Sequence, residues 1–324
     1  MSAMDALLTI FRGLADPSRV RILLLVRRME LSVGELAAVL GQSQPRVSRH
    51  IRILADAGLV RRVKEGAWVF VRLGKQALTV PVLAAIDALD RQAGADDQAL
   101  LAAVRVERAV AADAWFAAHA QDWDRERALH IAESAVEAAI VAALLPDAAG
   151  SLGRLVDVGT GTGRMIELLG HRADSALGVD RSPEMLRLAR GRIEACGLPR
   201  AEVRRGDMYA LPGADGSVDT VVLHQVLHFA DDPLAVLQEA ARLLAPAGRL
   251  LVVDFMPHKR EELRERQRHV RLGFSDTQVL DWLVVAGLSG RVVAQLPPPT
   301  ADERALGVTL WLGTRDTNCE REAA

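Results

Sequence analysis

The sequence predicts an α/β protein of two modules. A small helical module closed by a β-hairpin comes first, then a helical stretch, then a larger βαβ sheet. Three observations carry this. The stretch Leu155-Val-Asp-Val-Gly-Thr-Gly-Thr-Gly-Arg164 reads as strand, glycine turn and helix start. After Gly58 the hydrophobic pattern switches from a helical period to alternation. Residues 1–75 hold 13 lysines and arginines against 6 aspartates and glutamates, so a basic front precedes an acidic body in a chain of net charge −2.

With 324 residues, half of them hydrophobic, the chain is long enough for two domains with sizeable cores. No apolar run reaches the length of a membrane span, and Arg12, Asp16 and Arg19 interrupt the stretch a signal peptide would need. Cys196 and Cys319 fit no metal or disulfide spacing, so no metal site is expected and a reducing, cytoplasmic compartment is. The basic front is an electrostatic footprint suited to nucleic acid.

The first module reads as four helices and a hairpin. Met4 to Leu14 is amphipathic. Asp16-Pro17-Ser18 starts a second helix, with Asp16 as cap and Pro17 in the first turn. A third begins near Ser32 or Val33 and stops at the Gly41-Gln42-Ser43 turn. A fourth runs from Gln44 to about Ala57, with Ser43 as cap and Val47, Ile51 and Leu54 facing inward. Two short helices about a glycine turn make a helix-turn-helix, and the second is the candidate reader of DNA. Residues 59–63 and 68–73 flank a charged tip, which is the pattern of a wing. Ser43, Gln44, Arg46, Ser48, Arg49 and His50 on the reader, with Arg62 and Lys64 on the wing, are the candidate DNA contacts. Arg61 could also reach phosphate.

This module resembles the ArsR/SmtB family of winged-helix repressors. The resemblance rests on Phe11-Arg-Gly-Leu-Ala-Asp-Pro-Ser-Arg-Val-Arg-Ile-Leu23 and on residues 42–60, Gln-Ser-Gln-Pro-Arg-Val-Ser-Arg-His-Ile-Arg-Ile-Leu-Ala-Asp-Ala-Gly-Leu-Val. It implies a homodimer on palindromic operator DNA. Metal-sensing members carry a Cys-x-Cys pair where this chain has Ser32 and Gly34, which rules against soft-metal sensing there.

Residues 79–149 are Ala-rich and read as helices over 80–93, 98–120 and 133–145: a linker, a dimer seam or a lid. Trp115, Phe116, His119 and Trp123 form an aromatic cluster, and His119 and His130 are weak candidates for touching substrate. The expected division is therefore 1–78, 79–149, 150–315 and a disordered tail over 316–324.

In the sheet module the glycines fall at 159, 161 and 163, and Arg164 occupies the place where a dinucleotide fingerprint needs its third glycine. No Gly-Lys-Ser/Thr follows, which excludes a P-loop. A second strand ends at Asp180, placed to accept ribose hydroxyls, with Arg181 next. A third ends at Gly206-Asp207-Met208, where Asp207 can accept an exocyclic amine and Met208 can cover a base. A fourth, residues 218–223, runs into His224-Gln225-Val226-Leu227-His228, and a fifth is residues 249–254. Two more strand-like segments close the chain.

The order of Val156-Asp-Val-Gly-Thr-Gly-Thr-Gly163, Gly178-Val-Asp180, residues 206–212 and residues 237–254 resembles the class I S-adenosylmethionine-dependent methyltransferases, near the ubiquinone and menaquinone biosynthesis group. The resemblance implies a Rossmann-like seven-stranded sheet with a reversed final hairpin and S-adenosyl-L-methionine as cofactor. Asp157 and the three glycines would hold its methionine end, Asp180 the ribose and Asp207 the adenine. His224 is the expected contact to acceptor or cofactor, beside Gln225 and His228. Arsenite methyltransferases hold arsenic with several thiolates, which two distant cysteines do not supply. Quinone, phenolic and small-metabolite acceptors stay open. Three functions fit: a DNA-binding methyltransferase acting on a small molecule, a repressor that only senses cofactor or its demethylated product, and a metabolic enzyme that uses the winged helix for dimerisation.

Overall fold

A computed structural model describes residues 3–65, 68–74, 76–89, 97–120, 133–145, 147, 150–298 and 305–316. Trp123, His130 and the tail from 317 lie outside the described residues. The chain divides into two compact units, residues 1–110 and 111–324.

The first unit opens with α1 (Ala3–Leu14) and α2 (Pro17–Arg28). Asp16 caps α2 as expected, its carboxylate accepting the N–H groups of Ser18 and Arg19. β1 (Leu31–Ser32) leads into α3 (Val33–Leu40), where Ser32 and Glu35 form a reciprocal capping box. α4 (Gln44–Asp56) follows the Gly41 turn. Ser43 stands at its N-cap position but its hydroxyl makes no capping bond. β2 (Val60–Glu65) and β3 (Trp68–Leu73) form the expected antiparallel wing, with Arg61 opposite Arg72, and β1 adds a third strand along β3. The core gathers Ile22, Leu23, Leu36, Val47, Ile51, Leu54 and Leu59.

The stretch expected as a linker is shared between the units. α5 (Gln76–Leu89) starts earlier than expected and carries Pro81 inside it. Its Leu83 joins the first core, as does Leu101 of α6 (Asp97–His119). Buried Asp97 accepts two hydrogen bonds from Arg21. In contrast, Val136, Ile140 and Leu144 of α7 (Glu133–Leu144) join a core of the second unit.

That unit is built on seven strands: β4 (Arg154–Val158), β5 (Ser175–Asp180), β6 (Ala201–Arg205), β7 (Val218–His224), β8 (Leu244–Phe255), β9 (Leu288–Leu296) and β10 (Val308–Arg315). Their order is β6-β5-β4-β7-β8-β10-β9; the first five are parallel and β10 is antiparallel to both neighbours. α8 (Arg164–Leu169), α9 (Pro183–Ala195), α10 (Pro233–Leu243), α11 (Glu262–Gln267) and α12 (Asp276–Val285) complete it. Strand order turns outward on either side of β4, and in open α/β sheets ligands bind at the carboxyl ends beside such a switch point. Cores on both faces explain the near-continuous apolar runs of β7 and β8. Among the described residues no helix is long and apolar enough to cross a membrane.

Candidate functional site

The glycine loop leaves β4 with Gly159, Gly161 and Gly163 all in the left-handed region. At Gly159 the requirement is also steric: a Cβ there would lie 2.3 Å from Val226 Cγ2. The loop is sewn to β5, since Gly159 N–H and Thr160 N–H both donate to the Val179 carbonyl. Asp157 is buried beneath it and accepts the Thr160 hydroxyl at 2.6 Å, which fixes the loop from below. Arg164 grips both carboxylate oxygens of Glu137 on α7, at 2.6 and 2.7 Å, and also reaches Glu167. These carboxylates hold the guanidinium firmly charged.

Asp180, at the end of β5, accepts the Gly161 N–H at 2.8 Å and the Ser182 N–H at 2.9 Å, one on each oxygen. A carboxylate oxygen has more than one lone pair, so each can also take a ribose hydroxyl. Asp207 accepts the Tyr209 N–H, and it and Met208 are half-buried at the end of β6. Arg181 is half-buried beside Asp180. Asp157, Asp180 and Asp207 thus stand towards the carboxyl ends of the adjacent strands β4, β5 and β6, and this donor and acceptor set fits an adenosyl group with an amino-acid tail.

The turn after β7 holds the remaining chemistry. His224, the last residue of β7, is buried. Gln225 follows at φ +54, with its backbone N–H donating to the Val253 carbonyl. His228 is buried, and its Nδ1 lies 2.8 Å from Oδ1 of Asp254, a residue with no exposed surface. Asp254 also accepts the backbone N–H groups of His228 and Phe255. The His269 ring lies 4.2 Å from that of His228, and the Val270 and Arg271 N–H groups both donate to the His228 carbonyl. Burial lowers the His258 pKa to about 4 and that of Arg271 to about 9. The sequence reading named His224, Gln225 and His228. It missed Asp254 as the partner of His228, because the two meet only through the parallel register of β7 on β8, which sets His224 against Val253.

On the first unit, Ser43, Gln44, Arg46, Ser48 and Arg49 are exposed along the start of α4, and Arg62 is exposed on β2. Lys64 lies on β2, its side chain outside the described residues. His50 corrects the expectation. It is buried with Val47, Ile51 and Leu54, and its Nδ1 stands 3.9 Å from Asp16 Oδ1. Burial lowers its pKa, so it is a core residue of the helix rather than part of the exposed row. His119 stacks on Trp115 and its Nδ1 lies 2.8 Å from the Trp115 carbonyl.

Residues 16–62 match the family described as bacterial regulatory protein, arsR family, and residues 156–252 match the methyltransferase domain family. The demethylmenaquinone methyltransferase of Thermus thermophilus is 44% identical over 109 residues, which is 32% of this chain and 48% of that protein. The arsenical resistance operon repressor of Escherichia coli is 45% identical over 65 residues, 20% of this chain and 56% of that one. A methyltransferase solved with the Trm112 activator of Haloferax volcanii shares the fold at TM-score 0.51 and 23% identity, covering 62% of this chain and 97% of that one. The chain spans about two fifths to one half of the length of the first three curated relatives it matches. The chain thus joins a segment that matches the arsR family of bacterial regulatory proteins, residues 16–62, to one that matches the methyltransferase domain family, residues 156–252.

Proposed function

We propose that this chain is a cytoplasmic, DNA-binding regulator whose second unit transfers a methyl group from S-adenosylmethionine to a small-molecule acceptor. The observation that carries the catalytic half is the buried His228–Asp254 pair, in the turn whose Val226 packs at Gly159 of the glycine loop. A pocket that only sensed cofactor would need the loop and the acids, but not an imidazole oriented by a carboxylate. Asp254 orients the ring by its Nδ1, so Nε2 is the nitrogen that would take a proton from an acceptor. When bound, S-adenosylmethionine supplies an electrophilic methyl group on a sulfonium. In this reading the glycine loop above Asp157 takes the methionine end, Asp180 and Arg181 the ribose side, and Asp207 with Met208 the adenine, while His224 backs the acceptor corner.

The DNA half rests on the exposed row Ser43, Gln44, Arg46, Ser48 and Arg49, with Arg62 and Lys64 on the wing for phosphate. Homodimerisation is supported by apolar side chains left open on α1 and α6: Leu7, Leu8 and Phe11, and Val106 and Val110. The test joins operator gel shifts, run alone and with S-adenosylmethionine or S-adenosylhomocysteine, to radiolabelled methyl transfer into an extract of small metabolites. The proposal expects specific DNA binding and label incorporation that falls about a hundredfold in Asp254→Asn. Ligand-dependent DNA binding without any transfer would instead favour the sensing function.

A further inference from the structure

Gln225 breaks two rules at once. Among the described residues only Gln225, Ala247 and Arg268 have positive φ without being glycine; the other two are exposed, whereas Gln225 is 5% exposed. A long side chain in the left-handed region strains the backbone. In addition, both its amide atoms, Oε1 and Nε2, are buried without a hydrogen-bond partner. Buried polar groups are nearly always paired, and a fold that leaves a donor and an acceptor open on one residue keeps them for something outside itself. Glycine would relieve the strain here and methionine would remove the open polar atoms.

The position tells what the amide meets. Val226, the next residue, is the side chain that presses on Gly159 of the cofactor loop. On the other side, the Gln225 N–H is bonded to Val253, one residue before Asp254. Gln225 therefore sits between the cofactor loop and the His228–Asp254 pair. The segment that carries His269, Val270 and Arg271 is fastened to the same turn through the His228 carbonyl.

We infer that the Gln225 side chain is the specificity-determining contact for the methyl acceptor, and that it selects an uncharged edge carrying an adjacent hydrogen-bond donor and acceptor, a lactam or amide-type group. A primary amide pairs with such an edge through two parallel hydrogen bonds, one in each direction. An anionic or cationic group would satisfy only one end of the amide and would bring an unpaired charge into a buried corner. The inference rests on the catalytic proposal above for the word acceptor, though not for the binding it predicts.

The test uses 2-quinolone, whose N–H and C=O are adjacent, as probe on the full chain loaded with S-adenosylhomocysteine. N-methyl-2-quinolone blocks the donor, and 2-naphthoate replaces the edge by a charge. Calorimetry should show saturable binding of 2-quinolone, weakened about tenfold or more for either control ligand, and by a similar factor in Gln225→Met. Ligand-free Gln225→Met should melt at or above the wild-type temperature. A wild type that does not bind 2-quinolone, or binds all three probes alike, overturns the proposal even when the variant fails to fold. So does a folded variant that keeps full affinity, or one that melts well below wild type, because the amide then has a structural partner. Gln225-dependent binding with no methyl transfer to any acceptor upholds the inference and removes the catalytic proposal alone.

Discussion

His228 Nδ1 and Asp254 Oδ1 stand 2.8 Å apart with both side chains inside the fold, one in the turn that follows β7 and the other near the end of the neighbouring parallel strand β8. Asp254→Asn preserves the shape but offers the imidazole an amide in place of a carboxylate. We expect methyl transfer to fall about 10²-fold, with S-adenosylhomocysteine affinity nearly unchanged. Steady-state rates and calorimetry on the same preparation check this, with a thermal melt to confirm folding. Equal losses of affinity and rate would mean that the pair only shapes the sheet end.

Gly159 tests the fit of the cofactor loop. Alanine there meets Val226 Cγ2 and also takes a left-handed φ of +68. The expected destabilisation is roughly 1–3 kcal/mol from overpacking, with about 1–2 kcal/mol more from the backbone. Urea unfolding of Gly159→Ala, Val226→Ala and the double variant separates the two contributions. The double variant should recover the steric part, seen as a coupling energy between the sites.

Asp180→Ala should cut S-adenosylmethionine affinity by about tenfold to a hundredfold, because a charge-assisted acceptor is lost at the ribose and the Gly161 N–H loses its anchor. Equilibrium binding measures it. Operator DNA binding by the ligand-free variant should match wild type, which separates loss of the site from loss of the fold.

Arg46→Ala and Arg49→Ala should each weaken operator binding and lower the slope of log affinity against log salt by about one if the lost contact is a phosphate. A contact to a base edge would cost affinity without changing the slope. His50→Leu, by contrast, should leave the salt slope alone, since His50 is in the core. Gel shifts across a salt series distinguish these outcomes.

Acid should loosen the second unit through His258. Burial holds its folded pKa near 4, below the ordinary 6.5. The folded state therefore binds fewer protons than the unfolded chain between those values. The associated stability is complete above about pH 6.5 and is lost as pH falls towards 4. The partial exposure of His258 keeps its share to about 1–2 kcal/mol. His258→Gln should flatten that part of the pH–stability curve measured by denaturant titration, and an unchanged curve would assign the acid sensitivity elsewhere.

Local features were readable because their causes are local. A strand that ends in three alternating glycines, an acid 21 residues after the first of them, and Asp-Pro-Ser before a helix each state their geometry within a few residues. His50 was misread for an instructive reason. Positions 47, 50, 51 and 54 form one helical stripe, but a stripe scored only on aliphatic residues omits the histidine in it. The helix expected over 80–93 begins at Gln76 instead and carries Pro81 within it. The split of the middle helices could not be seen at all. Their composition is uniform, and the choice of core is made by distant partners: Arg21 for Asp97, and the sheet for Val136 and Ile140. The open amide of Gln225 is likewise invisible in sequence, because it is defined by what fails to surround it.

Arg164 stands where a dinucleotide-binding loop requires glycine, and its guanidinium is clamped by Glu137 of the helix that precedes the sheet. One residue thus ties the start of the helix after the loop to the helix that leads into the sheet. Arg164→Gly would remove the bonds to Glu137 and Glu167 and leave α7 held only by its apolar contacts through Val136, Ile140 and Leu144. A change at this loop position is therefore felt in the anchoring of a helix that lies before the sheet in sequence.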